Sequence, residues 1–366
     1  MPTKKLARIA VLGAGGFVGS HLVPALLQRF GCEIDAVDID FHKLECRDPR
    51  VCRVTARIEQ PGLVEQLTAS ADAVISLTAL CNPAQYNTIP LAVIDESYNH
   101  VLPLVRACAA RRVHLIHFST SEVYGRYALD GTGQRTSSMS EESTALLLGP
   151  VQLERWSYAC AKQLLERVIW AYGKHGDLPF TIVRLFNTIG ARMDYLPGVD
   201  GHGVPRVLAS LLNALLRGQE LPLVEGGLRR RSFMAVSDLV DAVCRMLERL
   251  PAVRGEIINL GNPDNDVSIA ELAEQLCKAY AARVPSALPA RMRAVSAREL
   301  YGEGYDDSEE RTPDIAKARR LLDWSPRHSL AEMLPAIVDD YVARYSAQLG
   351  VTPVAPLGAH APPVTP

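Results

Sequence analysis

The chain has no run of about 18 apolar residues, so no segment is expected to span a membrane. It has no surplus of either charge: 39 Lys+Arg against 41 Asp+Glu give a formal net charge of −2. That balance offers no general attraction to nucleic acid or anionic lipid. None of the eight cysteines (Cys32, Cys46, Cys52, Cys81, Cys108, Cys160, Cys244 and Cys277) stands in a CxxC pair, and a chain of 366 residues needs no disulfide staples. Most of them sit in apolar contexts and read as small buried hydrophobes in a reduced, cytoplasmic setting. No internal repeat is visible at the periods of solenoids. Lys4-Lys5 before the short apolar run Leu6 to Leu12 imitates a signal peptide, but no A-x-A-like cleavage site follows. The run ends in a glycine cluster and is expected to be a first β-strand.

What is present is a well-mixed globular composition, 48% apolar and 22% charged. That is too apolar for a disordered chain and long enough for one large α/β domain or two smaller ones. Short β-branched runs alternate with helical patterns: ARIAVLGA, EIDAVDID, ADAVISLTA and VHLIHFSTS as strands, HLVPALLQRF and YNHVLPLVRACAARR as helices. This alternation implies βαβ units and a parallel sheet. FTIVRLFNTIG and GEIINLGN are expected as further strands, and SIAELAEQLCKAYAA and SLAEMLPAIVDDYVARY as later helices. The expected fold is a doubly wound parallel (Rossmann) sheet over residues 1–186, then a smaller α/β part over 187–345. The chain is expected to cross back near 233–262, and the Pro-rich 346–366 to be a disordered tail.

The first strand runs into Gly13-Ala-Gly-Gly16-Phe17-Val18-Gly19 and then into a helix. Glycines there allow a tight turn and let backbone N–H groups approach a pyrophosphate at the helix N-terminus. Asp38, nineteen positions beyond Gly19 at the end of the second strand, can accept from adenosine ribose hydroxyls and would repel a 2′-phosphate. NAD is therefore favoured over NADP. Further on, Ser119-Thr120-Ser121-Glu122 ends a parallel strand, and Tyr158-Ala-Cys-Ala-Lys162 opens a helix. A Tyr and a Lys four apart share one helix face. The ammonium is expected to lower the phenol pKa, so that the phenolate takes a proton from a substrate hydroxyl while hydride leaves for NAD. A carboxylate at Glu122, beside a dry pocket, is costly unless it works or is paired.

These motifs resemble the extended short-chain dehydrogenase/reductase family, with its epimerases and dehydratases. Thr120, Tyr158 and Lys162 stand at the positions of that family's triad. Within it, Arg155 to Trp170 is similar to the decarboxylase half of bifunctional polymyxin-resistance enzymes. Arg192 to Gly198, Gly203 to Ala209 and Tyr301 to Ser308 are closer to plant UDP-apiose/UDP-xylose synthases. The resemblance covers Arg8 to Tyr345 and includes no formyltransferase region. It implies a UDP-glucuronate decarboxylase, cytoplasmic and dimeric through helices around Tyr158 and Asn99 to Ala110, with no nucleic-acid or membrane partner. Oxidation at C4 makes a β-keto acid, which loses carbon dioxide to a UDP-4-keto-pentose, open to reduction to UDP-xylose. The resemblance gives Thr120 and Ser121 the orienting role, and Glu122 and Arg311 the carboxylate and the C5 proton. Arg311 otherwise reads only as part of a turn before a helix.

It also implies a UDP-sugar site built from Cys81, Tyr86, Arg155, Asn187, Arg206, Arg229, Arg231, Tyr305 and Arg311. The turn Gly226 to Phe233, with Arg229 to Arg231, is suited to a diphosphate. Three departures stand out. Ser121 replaces a Cys of the plant type, Arg57 stands where relatives carry an Asp near the adenine, and Leu228 replaces a diphosphate-turn Lys. The alternatives are a UDP-apiose/UDP-xylose synthase, another nucleotide-sugar 4-epimerase or 4,6-dehydratase, and an NAD-binding sensor without catalysis. The intact Thr120, Glu122, Tyr158 and Lys162 set argues against the last.

Overall fold

A computed structural model describes residues 6–126, 128–130, 132–136, 138–302, 306 and 311–354. Seven parallel strands form the main sheet: β1 (Arg8–Leu12), β2 (Glu33–Asp38), β3 (Val51–Thr55), β4 (Ala73–Ser76), β5 (His114–Thr120), β6 (Phe180–Leu185) and β10 (Glu256–Leu260). Their order is β10-β6-β5-β4-β1-β2-β3, so β2 and β3 are added on one side of β1 and the later strands on the other. This switch opens a crevice beyond the carboxyl ends of β1 and β4. Strand β1 shows why the sheet is covered on both faces. Ile9 and Val11 join one core with Leu22, Leu26 and Val243, while Ala10 and Leu12 join another with Leu104, Leu165 and Ile169. Side chains alternate across a strand, so two apolar faces demand two helical layers.

A third core, around Leu208, Leu212, Leu276 and Ile337, carries the smaller part of the molecule. Beside it lie β7 (Asn187–Ile189), β9 (Arg230–Ala235) and β11 (Asp266–Ser268) in one sheet, and β8 (Leu221–Val224) with β12 (Met292–Val295) in another. Among the described residues no helix is long and apolar enough to cross a membrane.

Several sequence expectations need correction. FTIVRLFNTIG is not one strand. Phe186 breaks it: its N–H donates to the Leu260 carbonyl at 2.9 Å, and Asn187 leaves the main sheet to pair with Phe233 on β9. The helix expected to include Asn99 starts regularly only at Leu102. Before it the chain makes a wide turn over Asp95–Asn99, because Pro103 has no N–H to continue the regular ladder backwards. The tail does not begin at 346: the last helix runs Leu330–Leu349, and the Val354 N–H still donates to the Arg283 carbonyl at 3.0 Å. Residues 355–366 of that tail lie outside the described residues. Nor are most cysteines buried. Cys32, Cys108 and Cys244 are, Cys46 and Cys277 are half-buried, and Cys52, Cys81 and Cys160 are exposed; all eight are free thiols.

Candidate active site

A cavity of about 650 Å³ lies between the two parts, over the carboxyl ends of the parallel strands. One wall is the glycine turn. The helix Phe17–Phe30 begins at Gly16 with no side-chain cap and no acidic residue in its first turn. Its unsatisfied N–H groups open toward the cavity, which Gly16, Phe17 and Val18 line. Backbone crowding forbids side chains nearby: a Cβ on Gly15 would meet the Asp40 carbonyl oxygen at 1.8 Å, and one on Gly19 the Gly13 oxygen at 2.4 Å. Gly16 has no such conflict, its nearest neighbour being 3.5 Å away. Its missing side chain leaves room for a ligand rather than for the fold. Gly13, Gly19 and Asp38 lie under this wall and not on the cavity surface. Asp38 accepts from the Gly15 N–H at 2.8 Å and the Ile39 N–H at 2.7 Å, and burial holds its carboxyl above the ordinary value. It latches the glycine turn to β2. Gly15 is a site residue that the G-x-x-G-x-x-G spacing did not single out.

The opposite wall comes from β5 and the helix Ser157–Gly176. Thr120 and Ser121 are buried on it, and the Thr120 hydroxyl accepts from the Glu122 N–H at 3.2 Å. Tyr158 is buried, stacked on the Tyr86 ring at 4.9 Å between centroids, with its hydroxyl 3.4 Å from the Cys81 sulfur. Lys162, one turn on, donates to the Phe118 carbonyl at 2.9 Å. Burial pushes its ammonium down to about 8. The expected lowering of the Tyr158 phenol is not what the structure shows. Burial first, then Cys81 and Tyr86, hold it well above its ordinary value, and Lys162 is turned toward the backbone.

Glu122 is not a solvated loop residue. It is buried and accepts from Arg155, whose guanidinium is 1% exposed and lies 5.1 Å over the Tyr86 ring. Arg311 approaches the other carboxylate oxygen at 3.4 Å and is buried too. The fold thus brings Arg311 from a distant turn to the residue the resemblance paired it with.

The remaining expected residues divide. Asn187 lines the cavity and donates to the Ser232 carbonyl at 3.4 Å. Arg206 caps the helix Val207–Leu216, where Asp194 accepts from its N–H at 3.0 Å and from its Nε at 3.2 Å. Arg229 and Arg231 line the cavity. Arg230, between them, turns to Asp266 and Glu271 on the far side of β9, so the basic turn is not a single patch. Leu228 is 78% exposed. Arg57 pairs with Glu59 and Glu96 and not with a cavity group. Tyr305 lies outside the described residues. Lys43 was missed: it lines the cavity half-buried, five positions beyond Asp38 in a loop with no motif to flag it. Asn82 was missed as well; its amide holds the Val204 carbonyl at 3.0 Å.

A doubly wound sheet with an uncapped glycine turn, and a buried Tyr and Lys on one helix face across the cavity, defines a dinucleotide-dependent enzyme of the dehydrogenase/reductase kind. The chain belongs to the NAD dependent epimerase/dehydratase family, whose profile matches residues 9–261, and NAD is its cofactor. It is 41% identical over 345 residues to UDP-D-apiose/UDP-D-xylose synthase 1 of Arabidopsis thaliana, covering 89% of each chain. It is equally 41% identical to the Oryza sativa UDP-D-apiose/UDP-D-xylose synthase, covering 89% of this chain and 87% of that one. Among solved structures it is similar to the PbgP3 protein from Burkholderia pseudomallei, with a TM-score of 0.81 and 31% identity over 94% of this chain and 98% of the other.

Proposed function

We propose that this protein is an NAD-dependent UDP-glucuronate decarboxylase. The observation that carries the reading is the buried cluster of Glu122, Arg155 and Arg311 in the same cavity as Tyr158 and Lys162. It sets groups for a substrate carboxylate beside groups for alcohol oxidation. Gly16 to Val18 would hold the cofactor pyrophosphate, Asp38 the adenosine ribose, and Tyr158 and Lys162 the nicotinamide ribose. When bound, NAD supplies the acceptor for the hydride lost from C4. Tyr158 takes the C4 hydroxyl proton, and Thr120 and Ser121 orient that oxygen. The resulting ketone is β to the C5 carboxylate. Its carbonyl takes up the electron pair when carbon dioxide leaves, and the Thr120 and Ser121 hydroxyls stabilise the enolate oxygen. Glu122 and Arg311 hold the carboxylate and manage the proton returning to C5. Arg206, Arg229 and Arg231, with Asn187, take the UDP diphosphate end; Cys81 and Tyr86 are further substrate contacts.

We further propose that residues up to 186 mainly serve the cofactor and 187–345 mainly the sugar nucleotide, with β10 returned to the first part. Leu164 and Trp170, each about half exposed on the Tyr158 helix, support a homodimer joined through that helix and Leu102–Arg111. Eight free thiols suit a reducing cytoplasm. Incubation with UDP-glucuronate and NAD, followed by NMR, tests the function. Carbon dioxide with UDP-4-keto-pentose or UDP-xylose is expected. A UDP-hexuronate product without carbon dioxide overturns the reading in favour of a 4-epimerase.

A further inference from the structure

Behind the cavity, a chain of buried polar contacts ties its two walls together. It starts at Glu166, one turn beyond Lys162 on the same helix. Glu166 accepts from the Ser119 hydroxyl at 2.5 Å, next to Thr120, and from Arg184 on β6 at 3.1 and 2.7 Å. The Arg184 guanidinium lies 4.8 Å from the centre of the Tyr124 ring. The Tyr124 hydroxyl donates to Asn259 Oδ1 on β10 at 2.8 Å. The Asn259 amide in turn donates to the carbonyls of Met139 at 2.9 Å and Asp314 at 3.1 Å. Met139 is paired through its backbone with Thr312 at 2.8 Å and with Asp314 at 2.9 Å, immediately after Arg311.

Glu166, Arg184, Tyr124 and Asn259 are all at most 4% exposed, and none of them lines the cavity. None can touch substrate. A buried ion pair gives little net stability over an apolar core of the same shape, so stability does not explain the arrangement. Its hydrogen bonds do specify geometry. At one end they fix the Tyr158 helix against Thr120; at the other they hold the segment that presents Arg311 to Glu122. We propose that Tyr124 is a positioning residue: through Asn259 it sets the height of the Arg311 segment over Glu122, independently of Tyr158 and Lys162. Its kinetic consequence rests on the decarboxylase reading, because Arg311 then serves the carboxylate step and not the C4 oxidation.

The test is Tyr124→Phe in the full-length enzyme, with Asn259→Asp as a second variant. The first keeps the ring against Arg184 and removes the hydroxyl, with its bond to Asn259 and its contact with the Arg184 guanidinium. The second keeps the acceptor for Tyr124 and removes the donors to Met139 and Asp314. Two readouts are taken. Hydrogen exchange at the Met139 and Asp314 amides is expected to speed up by about ten-fold, the scale of one buried hydrogen bond, while β1 and β5 stay protected. With UDP-glucuronate and NAD, carbon dioxide release is expected to slow about ten-fold while single-turnover NADH formation stays within about two-fold. Unchanged exchange in both variants overturns the proposal, as does equal slowing of both steps. If wild-type enzyme releases no carbon dioxide, the decarboxylase reading fails. The exchange measurement still decides the role of Tyr124.

Discussion

The sulfur of Cys81 lies 3.4 Å from the hydroxyl oxygen of Tyr158, while the Lys162 ammonium donates to the Phe118 carbonyl. After burial, Cys81 is the leading reason the phenol is held above its ordinary value. A base that must lose its proton is thus opposed by its nearest polar neighbour. Cys81→Ala is expected to move the acid limb of kcat/KM to lower pH by about half to one unit. An acid limb that does not move shows that the sulfur leaves the Tyr158 proton alone.

Arg155 and Glu122 answer differently to substitution. Arg155→Met takes from the buried Glu122 one of its two guanidinium partners, leaving Arg311, and is expected to cost up to about 3 kcal/mol in urea unfolding. Glu122→Gln keeps an oxygen that accepts from Arg155, so it is expected to cost less in stability and more in chemistry. Carbon dioxide release should fall further than NADH formation. Equal losses in both steps would remove Glu122 from the carboxylate step.

Lys162 makes the site costly in a way that pH reveals. Its folded value of about 8 lies below the ordinary 10.5, because burial penalises the charge. The unfolded chain therefore binds the proton more tightly, and the penalty is full below about pH 8. It fades as pH rises toward 10.5 and amounts to about 3 kcal/mol. Lys162→Met escapes it. Relative to wild type, the variant is expected to lose about 3 kcal/mol of its stability difference between about pH 8 and pH 10.5 while remaining inactive throughout. A stability difference that is flat over that window would mean that the ammonium is not strained by burial.

The parts of this site legible in the sequence are local. The glycine turn, Asp38 and the Tyr158–Lys162 pair are each set within one strand–turn–helix unit, so spacing alone places them. What was not legible depends on distant partners. The break at Phe186 exists because the Leu260 carbonyl takes its N–H and Phe233 takes Asn187. Arg230 parts from Arg229 and Arg231 only because β9 makes neighbours face opposite ways, and Asp266 waits on one side. Arg311 reads as a turn residue until Met139 and Asn259 fix its segment above Glu122. Lys43 belongs to a loop held by Arg53, which donates to the Leu44 and Cys46 carbonyls, and no spacing in the sequence marks that loop as facing the cavity.

His114 sets an acid limit on the fold. It is buried on β5, with Nε2 2.9 Å from the Thr181 hydroxyl. That hydroxyl already donates to the Val253 carbonyl at 2.9 Å, so it must accept from His114, which fixes a neutral ring protonated at Nε2. Burial pushes the ring down to about 4 from 6.5, and moves the fully buried His117 in the same direction. The unfolded chain takes up the proton first. The stability tied to His114 is thus whole above pH 6.5 and is lost as pH falls through about 4, about 3 kcal/mol in all. His114→Gln, whose amide can still donate to Thr181, is expected to flatten urea-unfolding stability between pH 6.5 and 4 relative to wild type. Parallel profiles for the two proteins would place the acid limit elsewhere, with His117 next to be changed.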